Sequence, residues 1–142
     1  MSTMSSLPPP TVRDGDLRSG VLAAISDEMV RIYKDQFGRG PNRVRTYWCG
    51  DDVVTSVLEE TLTPAEHNLA ALGEHQRLRE TRMFFQYASV DDFCGSVERA
   101  TGRTVKAFIS GIDTAVDGVA VETFVLYPEG QEGPSRASLD QP

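Results

Sequence analysis

The sequence predicts an α+β fold: a two-layer sandwich in which a four-stranded antiparallel sheet carries helices on one face. Three observations lead there. Apolar residues recur at helical spacing near the start. Two stretches dense in β-branched and aromatic residues are each divided by a glycine-containing turn. The order helix, Gly-Arg, strand, turn, strand then occurs twice. An αββ-αββ duplication is a circular permutation of the ferredoxin-like β-α-β-β-α-β order, so a permuted ferredoxin-like sheet is expected.

Leu22, Ile25, Met29 and Ile32 step by three and four, with Asp27, Glu28, Arg31, Lys34 and Asp35 between them, which predicts an amphipathic helix. Gly38 suits a left-handed cap, and Pro41 prevents resumption. RVRTYWC (43–49) and VVTSVLEETL (53–62), separated by Gly50-Asp51-Asp52, read as a hairpin. Thr63-Pro64-Ala65-Glu66 is a helix start: Thr63 caps, Pro64 takes the first helical position and Glu66 completes a capping box. That helix is expected to break at Gly73 and continue through 74–87. Ser89 caps a further helix over 90–101, on which Val90, Phe93, Cys94 and Val97 keep helical spacing and after which Gly102 closes. TVKAFIS (104–110) and VAVETFVLY (119–127) are the last two strands.

The duplication aligns Gly38-Arg39 with Gly102-Arg103. Val44-Arg45 then falls on Val105-Lys106, Tyr47 on Phe108, Gly50 on Gly111 and Asp52 on Asp113. The repeat halves run over about 20–62 and 74–127. Residues 1–16 and 129–142, rich in Ser, Pro, Gly, Asp and Gln without a periodic apolar pattern, are expected to be disordered or loosely attached. A single domain over 17–128 remains.

A formal charge of -7 and a pI near 4.8 argue against charge-driven binding to nucleic acid or anionic lipid. No apolar run approaches the ~20 residues that span a bilayer, and the first residues lack a signal-peptide pattern. The expected location is the cytoplasm, with no direct membrane insertion. Cys49 and Cys94, in apolar runs, then read as reduced, buried thiols.

Enzyme templates find no match: there is no G-x-S-x-G elbow, Walker loop, G-x-G-x-x-G or H-E-x-x-H. His67 and His75 lie eight positions apart across Gly73, which is not a one-turn metal spacing, and helical polar residues account for them. No catalytic residue, metal or cofactor is therefore expected. Asp91 and Asp92 suit a helix N-terminus, and Asp51, Asp52, Asp113 and Asp117 suit turns.

The stretch GEHQRLRETRMFFQY (73–87) carries Arg77, Arg79 and Arg82 into a run of aromatics. One reading is a helix with core aromatics at its end and a solvated polar face, on which Glu74, Arg77 and Glu80 pair. The other is a pocket in which two of these arginines, with His75 and with Arg45, Arg103 or Lys106 from the strands, hold a small anion or a partner's carboxylates. Guanidinium forks suit that recognition. The uncovered sheet face offers a route to a homodimer.

ISDEMVRIYKDQFGRGPNRVRTYW, VLEETLTPAEHNLAALGEHQRLRETRMFFQY and VKAFISGIDT together resemble the MpsC-type small domain, over about residues 17–127. The most specific piece is LTPAEHNL followed by GEHQRLRETR. The resemblance implies a soluble bacterial accessory protein beside a sodium-translocating, membrane-potential-generating system, or beside inorganic-carbon transport, and it brings no catalytic residues. The expectation is a regulatory domain binding a membrane transport partner or a small anion. The alternative is a small enzyme acting on an anionic metabolite through the arginines and His75.

Overall fold

The computed structural model describes residues 14–139, in the order α1 (Asp14–Phe37), β1 (Arg43–Trp48), β2 (Val53–Glu59), α2 (Pro64–Ala71), α3 (His75–Ala88), α4 (Val90–Thr101), β3 (Val105–Asp113) and β4 (Val119–Leu126), with a 3-10 turn at Arg136–Ser138. The fold is α+β, as expected. All strand pairs are antiparallel and the sheet order is β1-β2-β4-β3, the order that the permuted arrangement requires.

The sheet's alternation decides where the core lies. Val54 and Leu58 on β2, Phe108 on β3, and Ala120 and Phe124 on β4 are buried, while their strand neighbours are partly exposed. Ile25, Met29, Ile32 and Tyr33 of α1 and Val90, Phe93, Cys94 and Val97 of α4 supply the rest of that core. Aromatic rings link the layers: Phe93 stacks on Phe108 with centroids 5.3 Å apart, Phe108 lies 5.3 Å from Phe124, and Tyr33 meets Phe93 at 6.1 Å. Arg31 of α1 closes the outside of the α1–α4 pair, donating to Asp92 at 2.7 Å and to Glu28 at 2.6 Å. These bonds, Asp92 first, raise its pKa.

Local signals set the helix ends. Thr63 Oγ1 accepts from the Glu66 amide, and Glu66 Oε1 accepts from the Thr63 amide, which is the capping box. Gly73 has φ +78° and separates α2 from α3. Gly38 and Gly102, aligned in the expected repeat, follow α1 and α4 directly. The second half carries two helices ahead of its hairpin, and it is α4 that packs beside α1.

Several expectations need correction. α1 starts at Asp14, inside the segment read as a tail; residues 1–13 lie outside the described residues. The chain after β4 is held down as far as Leu139. The Tyr127 hydroxyl donates to the Pro134 carbonyl at 2.9 Å, Ser135 donates to Glu98 at 2.7 Å, and Ala137 packs on the core. Residues 140–142 lie outside the described residues. β3 runs on to Asp113, so the loop before β4 is shorter than 111–118. Cys49 is exposed, because β1 ends at Trp48 and leaves it beyond the strand; Cys94 is buried, and burial pushes its thiol up to about 12.

Gly118, before β4, has φ +79°, and a Cβ there would meet Leu62 Cγ at 2.5 Å. Gly102, also at positive φ, has open space. Gly102→Ala should therefore cost only the conformational penalty, about 1 kcal/mol. Gly118→Ala adds an overlap with buried Leu62 and should cost about 1–3 kcal/mol more. Urea unfolding of the two variants checks the ranking; equal costs would contradict it.

Candidate functional site

The predicted arginines of α3 part company. Leu78, Arg82 and Gln86 form the buried stripe of the helix, so Arg82 is wholly enclosed. Arg77 and Arg79 are exposed, and Arg77 faces Glu74 at 3.8 Å. Phe84 and Phe85, read as core aromatics, stay 66% and 39% exposed, though Phe85 touches Phe37 edge-on. His75 Nδ1 shares a 2.8 Å hydrogen bond with Thr114 Oγ1. Arg45 lies on β1 beside Glu59 at 3.7 Å, with Lys106 exposed on β3. Arg103 lies at the start of β3, among residues that none of the others accompanies. These residues therefore do not assemble into one pocket.

Arg82 anchors a polar network inside the protein. Its guanidinium donates to the Thr61 carbonyl at 3.2 Å, Thr61 Oγ1 at 3.1 Å, Glu66 Oε1 at 3.1 Å and Gln86 Oε1 at 3.2 Å, and lies 3.9 Å from the centre of the Phe37 ring. Gln86 passes the network on, donating to Ser110 Oγ at 2.5 Å and to Glu122 Oε1 at 3.4 Å. Ser110 Oγ also donates to Glu122 Oε1.

Thr46, Ser56, Glu122 and Ser110 occupy one register row across β1, β2, β4 and β3, and all four are buried. Ser26 Oγ of α1 joins the end of the row through Thr46, at 2.7 Å, and Thr46 bonds Ser56 at 2.8 Å. The sheet thus carries a polar stripe through an otherwise apolar layer.

Glu122 is the titratable centre of that stripe. Burial pushes its carboxyl up to about 8, opposed by the bond from Ser110, the charge of Arg82 and the bond from Gln86. Its Oε2 and the Tyr33 hydroxyl are buried without hydrogen-bond partners. Burial first, and then the Glu122 charge, raises the Tyr33 pKa. A neutral carboxylic acid is the form that suits this surrounding at neutral pH.

A pocket with a volume of about 890 Å³ opens elsewhere. α1 contributes Leu17, Arg18 and Val21; β1 ends in it with Trp48; and the β1–β2 turn adds Asp51 and Asp52. Arg103 closes the far wall. It donates to the Asp51 carbonyl at 2.7 Å, Asp52 Oδ1 at 2.5 Å and the Tyr127 carbonyl at 2.7 Å, and Glu129 lies at the rim. Arg18 is far less committed. Its guanidinium lies 4.8 Å above the Trp48 ring and reaches the Gly50 carbonyl only at 3.5 Å. The indole N–H of Trp48 is buried and has no acceptor.

Of the predicted residues only Arg103 reaches this pocket. Sequence reading passed over Arg18 because it stands next to the segment read as a tail, and over Trp48 because it reads as an ordinary strand aromatic. A lone tryptophan ending a strand beside a Gly-Asp-Asp turn was the available signal.

Arg82→Ala should cost about 3–5 kcal/mol, since it strands Glu66 and Thr61, whereas Arg77→Ala should stay within about 0.5 kcal/mol. Denaturant titration separates them. For Glu122, the unfolded chain ionises near 4.5 while the folded chain holds its proton to about 8. Stability should therefore fall progressively as pH rises from about 4.5 to about 8. Glu122→Gln, which mimics the protonated form, should remove most of that slope and be the more stable protein at pH 8; an unchanged slope would exclude Glu122 as its source.

No curated protein and no solved structure matches this chain significantly. A family model described as "Na+-translocating membrane potential-generating system (MpsC)" matches residues 18–127, which hold every element from α1 to β4 apart from the first residues of α1. The chain belongs to the MpsC family.

Proposed function

We propose that this domain is an accessory binding module of a Na+-translocating, membrane-potential-generating system, and that it recognises a carboxylate in the Trp48 pocket, whether on a membrane transport partner or on a small anion. The family supplies the setting. No helix among the described residues is long and apolar enough to cross a membrane, so in this reading the domain docks against the system from the cytoplasm, where Cys49 and Cys94 stay reduced.

The observation that carries the reading is an arginine in this pocket, stacked on the Trp48 ring, whose donors are mostly unused. A carboxylate accepts from the Arg18 fork in the bidentate manner that guanidinium favours, with the Trp48 ring supporting that guanidinium from behind. Arg103 contributes as a wall, its charge already met by Asp52. Asp51 and Glu129 at the edge repel a second negative charge, so a single carboxylate fits better than a phosphate or a nucleotide.

Trp48 is the only tryptophan, which makes its fluorescence a direct report on the pocket. Titration with bicarbonate, acetate, phosphate and a peptide bearing a free C-terminal carboxylate should shift the emission for one of the carboxyl-containing probes and not for phosphate. Arg18→Ala should weaken that response roughly tenfold while leaving the melting temperature nearly unchanged. A silent fluorescence for every probe, or the same affinity in Arg18→Ala, would overturn the assignment.

A further inference from the structure

The sheet face opposite the helices is a self-complementary surface, and we infer that it pairs with the same face of a second copy about a two-fold axis parallel to the strands. The backbone register lays this face out as a grid. Its rows, read from β1 through β2 and β4 to β3, are Arg45–Val57–Val121–Gly111 and Tyr47–Thr55–Thr123–Ile109, followed by Val53–Val125–Ala107; at the other end, one position beyond the last β2–β4 pair, stand Arg43–Glu59 and Val119–Asp113, which form the first row. Apart from the first row and Arg45, the residues are apolar or threonine. Ile109 is 58% and Tyr47 46% exposed.

Strands about 4.8 Å apart and rows about 6.8 Å apart give a projected footprint on the order of 500 Å². Accessible area exceeds projection, so the face approaches the ~800 Å² that each partner brings to a standard interface.

Charge decides the occupant and the axis. Arg43 and Arg45 share the single carboxylate of Glu59, at 3.8 and 3.7 Å, which leaves one positive charge unmet at this corner. Asp113 stands at the opposite edge of the same end of the sheet, exposed; its Oδ1 accepts from the Ala115 amide, and among the described residues it makes no ion pair. A two-fold axis along the strands keeps each row opposite itself and exchanges edges, so β1 of one copy faces β3 of the other.

Arg43 then meets Asp113 of the partner subunit, and Tyr47 meets the partner's Ile109. Gly111, which adds no side chain, leaves room for Arg45. In the middle, Val57 faces the partner's Val121, Thr55 the partner's Thr123 and Val53 the partner's Val125. An in-plane axis across the strands instead puts β1 on β1, where Arg43 and Arg45 have no acid to meet. Aligned sheet packing tolerates the ~30° rotation that sheet twist imposes, and arginine spans the resulting offset at the corner.

Sedimentation equilibrium of the full chain tests it. The wild type should be a dimer at micromolar concentration, and Val121→Asp should be a monomer with an unchanged circular-dichroism spectrum. Arg43→Asp and Asp113→Arg should each weaken association roughly tenfold, and the double variant should recover it, because each copy then offers the reversed pair. A monomeric wild type, a dimer that survives Val121→Asp, or a double variant no tighter than the singles would overturn the inference. The single and double charge variants keep the test independent of whether Val121→Asp folds.

Discussion

A guanidinium with no exposed surface must be surrounded by acceptors, and much of the middle of this protein is arranged to provide them for Arg82. The end of β2 turns so that the Thr61 carbonyl and hydroxyl both face it. The first turn of α2 delivers Glu66, the residue that also caps that helix. α3 aligns Gln86 one turn on. Three elements that share little apolar contact are thereby given one relative position. α2 has no buried residue of its own, so this polar clasp contributes what a hydrophobic stripe supplies elsewhere. Thr61 also donates to the Gly118 carbonyl at 2.6 Å, which binds the start of β4 into the same knot.

The network then has to cross the sheet. A single row of Thr46, Ser56, Glu122 and Ser110 carries it, and neighbouring rows are apolar enough to exclude water. A stripe of this kind narrows the ways in which the sheet can pair. A slip of one residue would turn Glu122 outward and place Thr123 against Phe93 and Phe108, so the buried polar groups specify register as well as the hydrophobic ones do. Their cost is an acid that must stay protonated in an apolar surrounding, and its benefit is a sheet with one alignment.

Much of this was legible in advance. Helical spacing in α1 and α4, the Thr63–Glu66 box, the break at Gly73 and both hairpins are local signals, and each needs only neighbours in sequence. What escaped reading depended on phase. Arg82 lies four residues after Leu78 and four before Gln86, on the stripe that Leu78 marks as buried, yet its charge suggested a surface role. Glu122 stands in phase with Ala120, Phe124 and Leu126, and the alternation of β4 alone places it inside. Composition pulled the other way in the segment after β4, where Ser, Pro and Gly suggested a loose tail, although Tyr127 and Glu98 hold it. The pocket around Trp48 was less accessible still, because the turn, two helices and the chain after β4 meet there only in three dimensions.

The order β1-β2-β4-β3 also bears on how the chain reaches this state. Two of the three strand pairs are hairpins and close over short loops. The third, β2 with β4, joins Val53 to Val125 across α2, α3, α4 and β3. Its loop-closure entropy is the largest in the sheet, and no contact along it forms until most of the chain has been brought together. Ser56 and Glu122 lie on that seam, so the polar row is completed only when the two halves meet. Synthesis from the N-terminus leaves the β1–β2 hairpin and α1 waiting, with one edge of β2 unpaired, until β4 has emerged.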